Sequence, residues 1–143
     1  MVHLVWGLDE AVCEYVKKAF PHMTHPWVDC EGIGIADGNK LVGGIVVEML
    51  TTFDASVTLL MDTPRSCNKS ILRDWNKHMF DTLKLSRVTL EVHPKNKKSR
   101  RFVEGLGAKL EGKKRKGYDG HRPVLIYGLL PEEARFYEIP QTA

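Results

Sequence analysis

Cysteine is scarce in this 143-residue chain, and the three that occur, Cys13, Cys30 and Cys67, are odd in number and widely spaced. That pattern excludes the disulfide framework of a small secreted domain and fits free thiols in a reducing compartment. No cysteine pair has metal-ligand spacing, and His22 and His25 stand too near Pro21 and Pro26 to pair on one helix, so no metal is expected. Long apolar runs are missing as well. The stretches 41–47 and 124–130 are strand-length rather than bilayer-length, and residues 1–6 lack the charged start and apolar run of a signal peptide. A cytoplasmic setting without membrane association is therefore expected. Linkers, repeats and low-complexity segments are absent too, so residues 1–143 are expected to form one domain, of a size that buries roughly two-thirds of its unfolded surface unaided.

What the chain does have is clustered positive charge. The net charge is only +3, yet Lys95, Lys97, Lys98, Arg100 and Arg101 share one short segment and Lys109, Lys113, Lys114, Arg115 and Lys116 another, together ten of the 21 basic residues. Such clusters suit a partner that carries phosphate, either nucleic acid or a phosphorylated cofactor; a solvated face is the plain alternative. A nucleic-acid module remains a competing reading, but the basic segments lack interleaved aromatics and match no helix-turn-helix, zinc or RNP pattern.

Apolar periodicity sets out the elements. Val2–Trp6 reads as a strand, and Asp9–Phe20 as a helix with Asp9 as N-cap. Glu31–Ala36 and Lys40–Leu50 flank the turn Asp37-Gly38-Asn39 and form an antiparallel hairpin, followed by a strand at Ala55–Met61. Ile71, Leu72, Trp75, Met79, Phe80 and Leu83 recur at helical spacing up to Leu85. Arg87–Val92 is again a strand, Asn96 caps a helix ended by Gly107, and Lys109–Gly117 with Arg122–Leu130 forms a closing hairpin around Asp119-Gly120. Pro131–Glu138 is expected to add a short helix. Strand–helix–strand units beside hairpins imply an α/β (α+β) class with a mixed sheet and helices on its faces.

Asn96-Lys97-Lys98-Ser99, continuing through Leu106-Gly107-Ala108-Lys109-Leu110-Glu111-Gly112-Lys113-Lys114-Arg115, resembles a pattern of the GNAT superfamily of acetyltransferases, in the branch that includes ribosomal-protein N-terminal acetyltransferases. The resemblance implies a GNAT-like, mostly antiparallel sheet of about seven strands with a splayed central strand pair. It also implies transfer of acetyl from acetyl-CoA, as cosubstrate, to an amine: a protein N-terminus, a lysine or a small-molecule amine. Binding of CoA without catalysis is the alternative, and the oligomeric state is left open between monomer and homodimer.

The same resemblance assigns residues. In place of the superfamily's glycine-containing pyrophosphate loop the chain has Arg65-Ser66-Cys67-Asn68-Lys69-Ser70. Such a loop needs backbone N–H groups converging on phosphate at a helix N-terminus. Asn68 tolerates positive φ and Ser70 is small, although an ordinary helix cap explains them equally. Asn96 and Ser99 would face the pantetheine and sulfur, and Lys98, with Lys97, would meet the phosphates of CoA. Lys97 and Lys98 lie in a first turn, where the helix dipole disfavours positive charge by roughly 0.3–1 kcal/mol each unless an anion is near. Leu60 and Met61 would offer backbone donors on the splayed strand. Ser99 would protonate the departing thiolate, since Val103 occupies the position of the tyrosine that many relatives use. Glu48, alone in an apolar strand, is the candidate base because burial raises a carboxyl's proton affinity; Glu91 is likewise a lone carboxylate on its strand. Tyr118 is expected to line the amine entrance.

Overall fold

Residues 1–20, 30–61 and 68–141 are described by the computed structural model. The pairs His22/His25 and Pro21/Pro26, and the loop residues Arg65, Ser66 and Cys67, lie outside them. Seven strands form one sheet: β1 (Val2–Val5), β2 (Glu31–Asp37), β3 (Lys40–Met49), β4 (Asp54–Met61), β5 (Arg87–Val92), β6 (Lys109–Lys114) and β7 (Val124–Leu129). Their spatial order is β1-β2-β3-β4-β5-β7-β6, and only the β4–β5 pair is parallel. The helices are α1 (Asp9–Ala19), α2 (Lys69–Lys77) and α3 (Lys97–Gly105). This is the mixed sheet that the sequence pattern implies, with the mostly antiparallel arrangement of seven strands that the resemblance implies.

Strand alternation divides the core between the two faces. Ile33, Ile45, Val57, Leu90 and Tyr127 are register partners or neighbours on one face, where they pack with Ile71 and Trp75 of α2, Val103 of α3 and Leu106 just after it. The other face carries Val46 and receives Val12 and Val16 of α1. Glycines floor that seat. A Cβ on Gly32 would stand 2.8 Å from the Asp9 carbonyl oxygen and 2.9 Å from Val12 Cβ, and one on Gly44 would stand 2.7 Å from Val16 Cγ2. The helix backbone thus lies directly on the sheet.

Several elements differ from the sequence expectation. Leu8, not Asp9, occupies the N-cap position of α1, because the Asp9 carboxylate accepts the Gly32 N–H at 3.1 Å and ties the helix start to β2. The helix expected through Leu85 is α-helical only to Lys77 and then widens into a π-helical turn, His78–Thr82, closed by Leu83 N–H to His78 C=O at 2.9 Å. Met79 and Phe80 are both buried in this turn. The closing hairpin has shorter strands than expected and a bulge between Leu110 and Gly112. Pro131–Glu138 forms turns instead of a helix: Glu133 and Ala134 N–H both bond the Leu130 carbonyl, at 3.0 and 2.9 Å, while Arg135 N–H leaves the segment for the Leu106 carbonyl at 2.9 Å and Ala134 is buried. Among the described residues, no helix is long and apolar enough to cross a membrane.

Gly32→Ala is expected to lower unfolding stability by about 1–3 kcal/mol through overpacking under α1. A fall in the urea midpoint at constant m-value reads this out; an unchanged midpoint would mean that α1 lifts off the sheet without cost.

Candidate active site

Parallel β4 and β5 both end at the same edge of the sheet, and each releases a helix there. The two strands are paired over four positions only, from Asp54↔Arg87 to Val57↔Leu90. Beyond that point β4 continues to Met61 along β3, and β5 continues to Val92 along β7. The sheet is therefore open between them over Thr58–Met61. Alternate residues of a strand direct their N–H and C=O to opposite neighbours, so half of these groups face the opening. A Cβ on Gly43 would stand 2.5 Å from the Leu60 carbonyl oxygen, which places the Leu60 carbonyl against β3. The alternation then turns Leu59 and Met61 toward the gap. Leu60, expected as a donor beside Met61, faces the wrong strand, and Leu59 was missed because sequence does not reveal which parity bonds β3.

Both helices that start at this edge are capped by asparagine. Asn68 Oδ1 accepts the Ile71 N–H at 2.9 Å, and Asn96 Oδ1 accepts the Ser99 N–H at 3.1 Å. Asn68 has φ −101°, so it is an ordinary extended cap and does not use the left-handed conformation that its place in the loop suggested. Lys69, Ser70, Lys97 and Lys98 are exposed in the first turns, and Ser99 is half-buried on the side of Val103 and Leu106. Arg100 behaves differently from its basic neighbours. Its Nε donates to the Tyr127 hydroxyl at 3.3 Å and its Nη1 to the Pro94 carbonyl at 3.3 Å, while the Tyr127 hydroxyl donates to Glu104 at 2.7 Å. Burial, reinforced by Glu104 against the opposing pull of Arg100, raises the Tyr127 phenol above its ordinary range. A neutral tyrosine therefore pins α3 to β7. In the second basic cluster, Lys109 pairs with Glu133 and Lys114 with Glu91 at 2.7 Å; Lys113, Arg115 and Lys116 have no ion-pair partner among the described residues.

The carboxylates separate clearly. Glu48 is half-buried on the α1 face opposite Ser56, where β4 and β5 are still bonded, ~13 Å along β4 from Leu60. Glu91 is instead the first residue of β5 past the last β4 pair, on the same face as Glu48 and Leu60. Tyr118 is brought to the end of β5, where its ring packs edge-on against His93 with centroids 4.7 Å apart. Arg122 lies over the Tyr118 ring at 5.4 Å and is held by Asp119, whose carboxyl the backbone and side-chain donors of Arg122 keep well below the usual range. His93 Nδ1 accepts the Lys95 N–H at 3.1 Å, and its Nε2 is buried without a partner. His93 follows an ordinary strand in the sequence, and only the tyrosine packed on it marks it as part of the site. A separate depression lined by Lys77, Asp81 and residues 138–141 lies at the opposite end of α2 from this edge.

The same fold recurs in solved structures. Spermidine/spermine N-acetyltransferase SpeG from Vibrio cholerae, in mutant form, aligns with a TM-score of 0.73 at 13% identity over 91% of this chain and 95% of that one. A second mutant structure of the same enzyme gives 0.72 at 14% identity over 90% and 93%. A protein described as a probable acetyltransferase gives 0.70 at 19% identity over 92% and 94%. The fold is that of the GNAT acetyltransferases. No protein-family model matches the sequence, and no curated protein matches it. In this GNAT-like fold the opening between β4 and β5, the starts of α2 and α3, and the Tyr118–His93 pair thus meet at one edge, with Glu91 beside them and Glu48 away from them.

Asn96→Ala is expected to destabilise the chain by about 0.5–2 kcal/mol through loss of the α3 cap, with Asn96→Asp close to neutral. Equal loss in both variants under urea denaturation would show that the side-chain amide, not the cap oxygen, is what matters.

Proposed function

We propose that residues 1–143 are an acetyl-CoA-dependent N-acetyltransferase that acts on an amine by direct transfer. The opening between β4 and β5 carries this reading: two strands part at their C-terminal ends and leave the backbone groups that face the gap without a strand partner among the described residues, beside two helix starts. The residues present fit the cosubstrate. Leu59 and Met61 would align its pantetheine arm; Lys69, Ser70 and the preceding Arg65, Ser66, Cys67 and Asn68 would hold its pyrophosphate; Asn96, Lys97 and Lys98 would border it from α3. When bound, acetyl-CoA would supply an acetyl group activated as a thioester.

The chain's own groups provide the rest of the chemistry. A backbone N–H at Met61 would hold the acyl oxygen as charge gathers on it. The Ser99 hydroxyl would pass a proton to the departing sulfur. Glu91, although its carboxylate is ion-paired to Lys114, lies nearer the opening than Glu48 and would take, directly or through one water, the proton that the attacking amine loses. Tyr118, packed on His93, would line the approach of the amine. The ribosomal-protein branch rests on the Asn96–Arg115 pattern alone, and the SpeG likeness supports amine acetylation without selecting the amine. CoA binding without catalysis is the reading left if transfer fails.

Acetyl-CoA at about a hundred times its dissociation constant should raise the melting temperature by roughly 5–10 °C. Calorimetry showing no binding at millimolar concentration would remove the functional assignment. Ser99→Ala is expected to lower kcat by roughly ten- to a thousand-fold with little change in cosubstrate affinity, the mark of a contact made in the transition state. Loss of affinity along with rate would instead identify Ser99 as a residue that holds the cosubstrate.

A further inference from the structure

Cys13 and Cys30 are 17 residues apart in sequence, and their Sγ atoms are 3.2 Å apart. The fold brings them together. Cys13 follows Val12, whose Cβ overlies Gly32, and the Asp9 carboxylate holds the Gly32 N–H, so the second turn of α1 is registered on the start of β2. Cys30 immediately precedes that strand. Both are free thiols and both are half-buried, packed beside Val12, Val16 and Val46.

We propose that Cys13 and Cys30 form a modification site, a dithiol that a small-molecule disulfide converts reversibly into an intrachain disulfide. The step balances without another oxidant. The Cys30 thiolate attacks one sulfur of the reagent, forms a mixed disulfide and releases one reagent thiolate, which takes up a proton. The Cys13 sulfur then attacks Cys30 Sγ, loses its proton and expels the second reagent thiol, so two electrons pass from the protein to the reagent. Burial, helped by the contact with Cys30, raises the Cys13 thiol above its ordinary range, in keeping with Cys13 as the resolving thiol. Closing from 3.2 Å to the S–S bond length of about 2.05 Å asks for a shift of roughly 1 Å, within reach of side-chain rotation. The bond would fasten α1 covalently to the strand on which it already rests.

The test is incubation of the full chain with excess oxidised glutathione, followed by thiol counting in denaturant, peptide mass mapping and thermal melting. Two of the three thiols should disappear, a Cys13–Cys30 cross-linked peptide should appear, and the melting temperature should rise by about 5 °C and return on reduction. Cys13→Ser should trap glutathione on Cys30 without any intrachain cross-link. Retention of all three thiols, or a cross-link that includes Cys67, overturns the proposal. None of these readouts depends on acetyl transfer, so the site and the proposed activity stand or fall separately.

Discussion

The organisation of this molecule depends on an interrupted strand pairing. β4 and β5 share four residue pairs and then separate, while each keeps its other neighbour to the end. Separation removes hydrogen bonds from one edge of each strand only, so both remain anchored. The backbone groups that face the gap must still find partners, in water or in a ligand. A sheet edge normally invites another strand; here the gap is internal, bounded by sheet on either side, and suited to an extended chain carrying carbonyl and N–H groups.

Packing keeps the gap in one place. Val57 and Leu90, the last pair before the strands part, are buried in the main core together with residues of α2 and α3. On the opposite face α1 rests on a glycine floor that admits no side chain. Tyr127 fixes α3 from beneath through Glu104 and Arg100. The two helix starts are thus set by contacts that lie away from the opening, and exposed residues such as Lys69, Ser70, Lys97 and Lys98 are available to a ligand.

Charge is distributed by the same geometry. Ten clustered basic residues look alike in the sequence, but the fold turns Arg100 inward, commits Lys114 to Glu91 and Lys109 to Glu133, and leaves Lys97 and Lys98 exposed at the start of α3. An exposed lysine in a first turn is slightly unfavourable by itself, and an anion beside it reverses that balance. The basic clusters therefore divide into cations held by partners within the chain and exposed ones, Lys97 and Lys98 among them.

The order of the elements, the Asp37–Lys40 turn, the Asn96 cap and the stop at Gly107 were legible in the sequence, because each depends on residues within a few positions of one another. Gly107 has φ +103° and Gly38 +61°, the conformations that mark those positions for glycine. The mixed sheet followed from that order together with the family resemblance. Long-range partners decided the rest. Asp9 has the residue type of a cap but meets β2, Glu48 and Glu91 are equivalent until strand register separates them, and His93 acquires a neighbour only when the closing hairpin brings Tyr118 to it. Residues 131–138 begin with local bonds to the Leu130 carbonyl, and Arg135 then bonds the distant Leu106 carbonyl where a helix would have continued. Sequence sets local preferences; which strand parity faces the opening, and which two cysteines touch, are properties of register and packing that arise only when the sheet assembles.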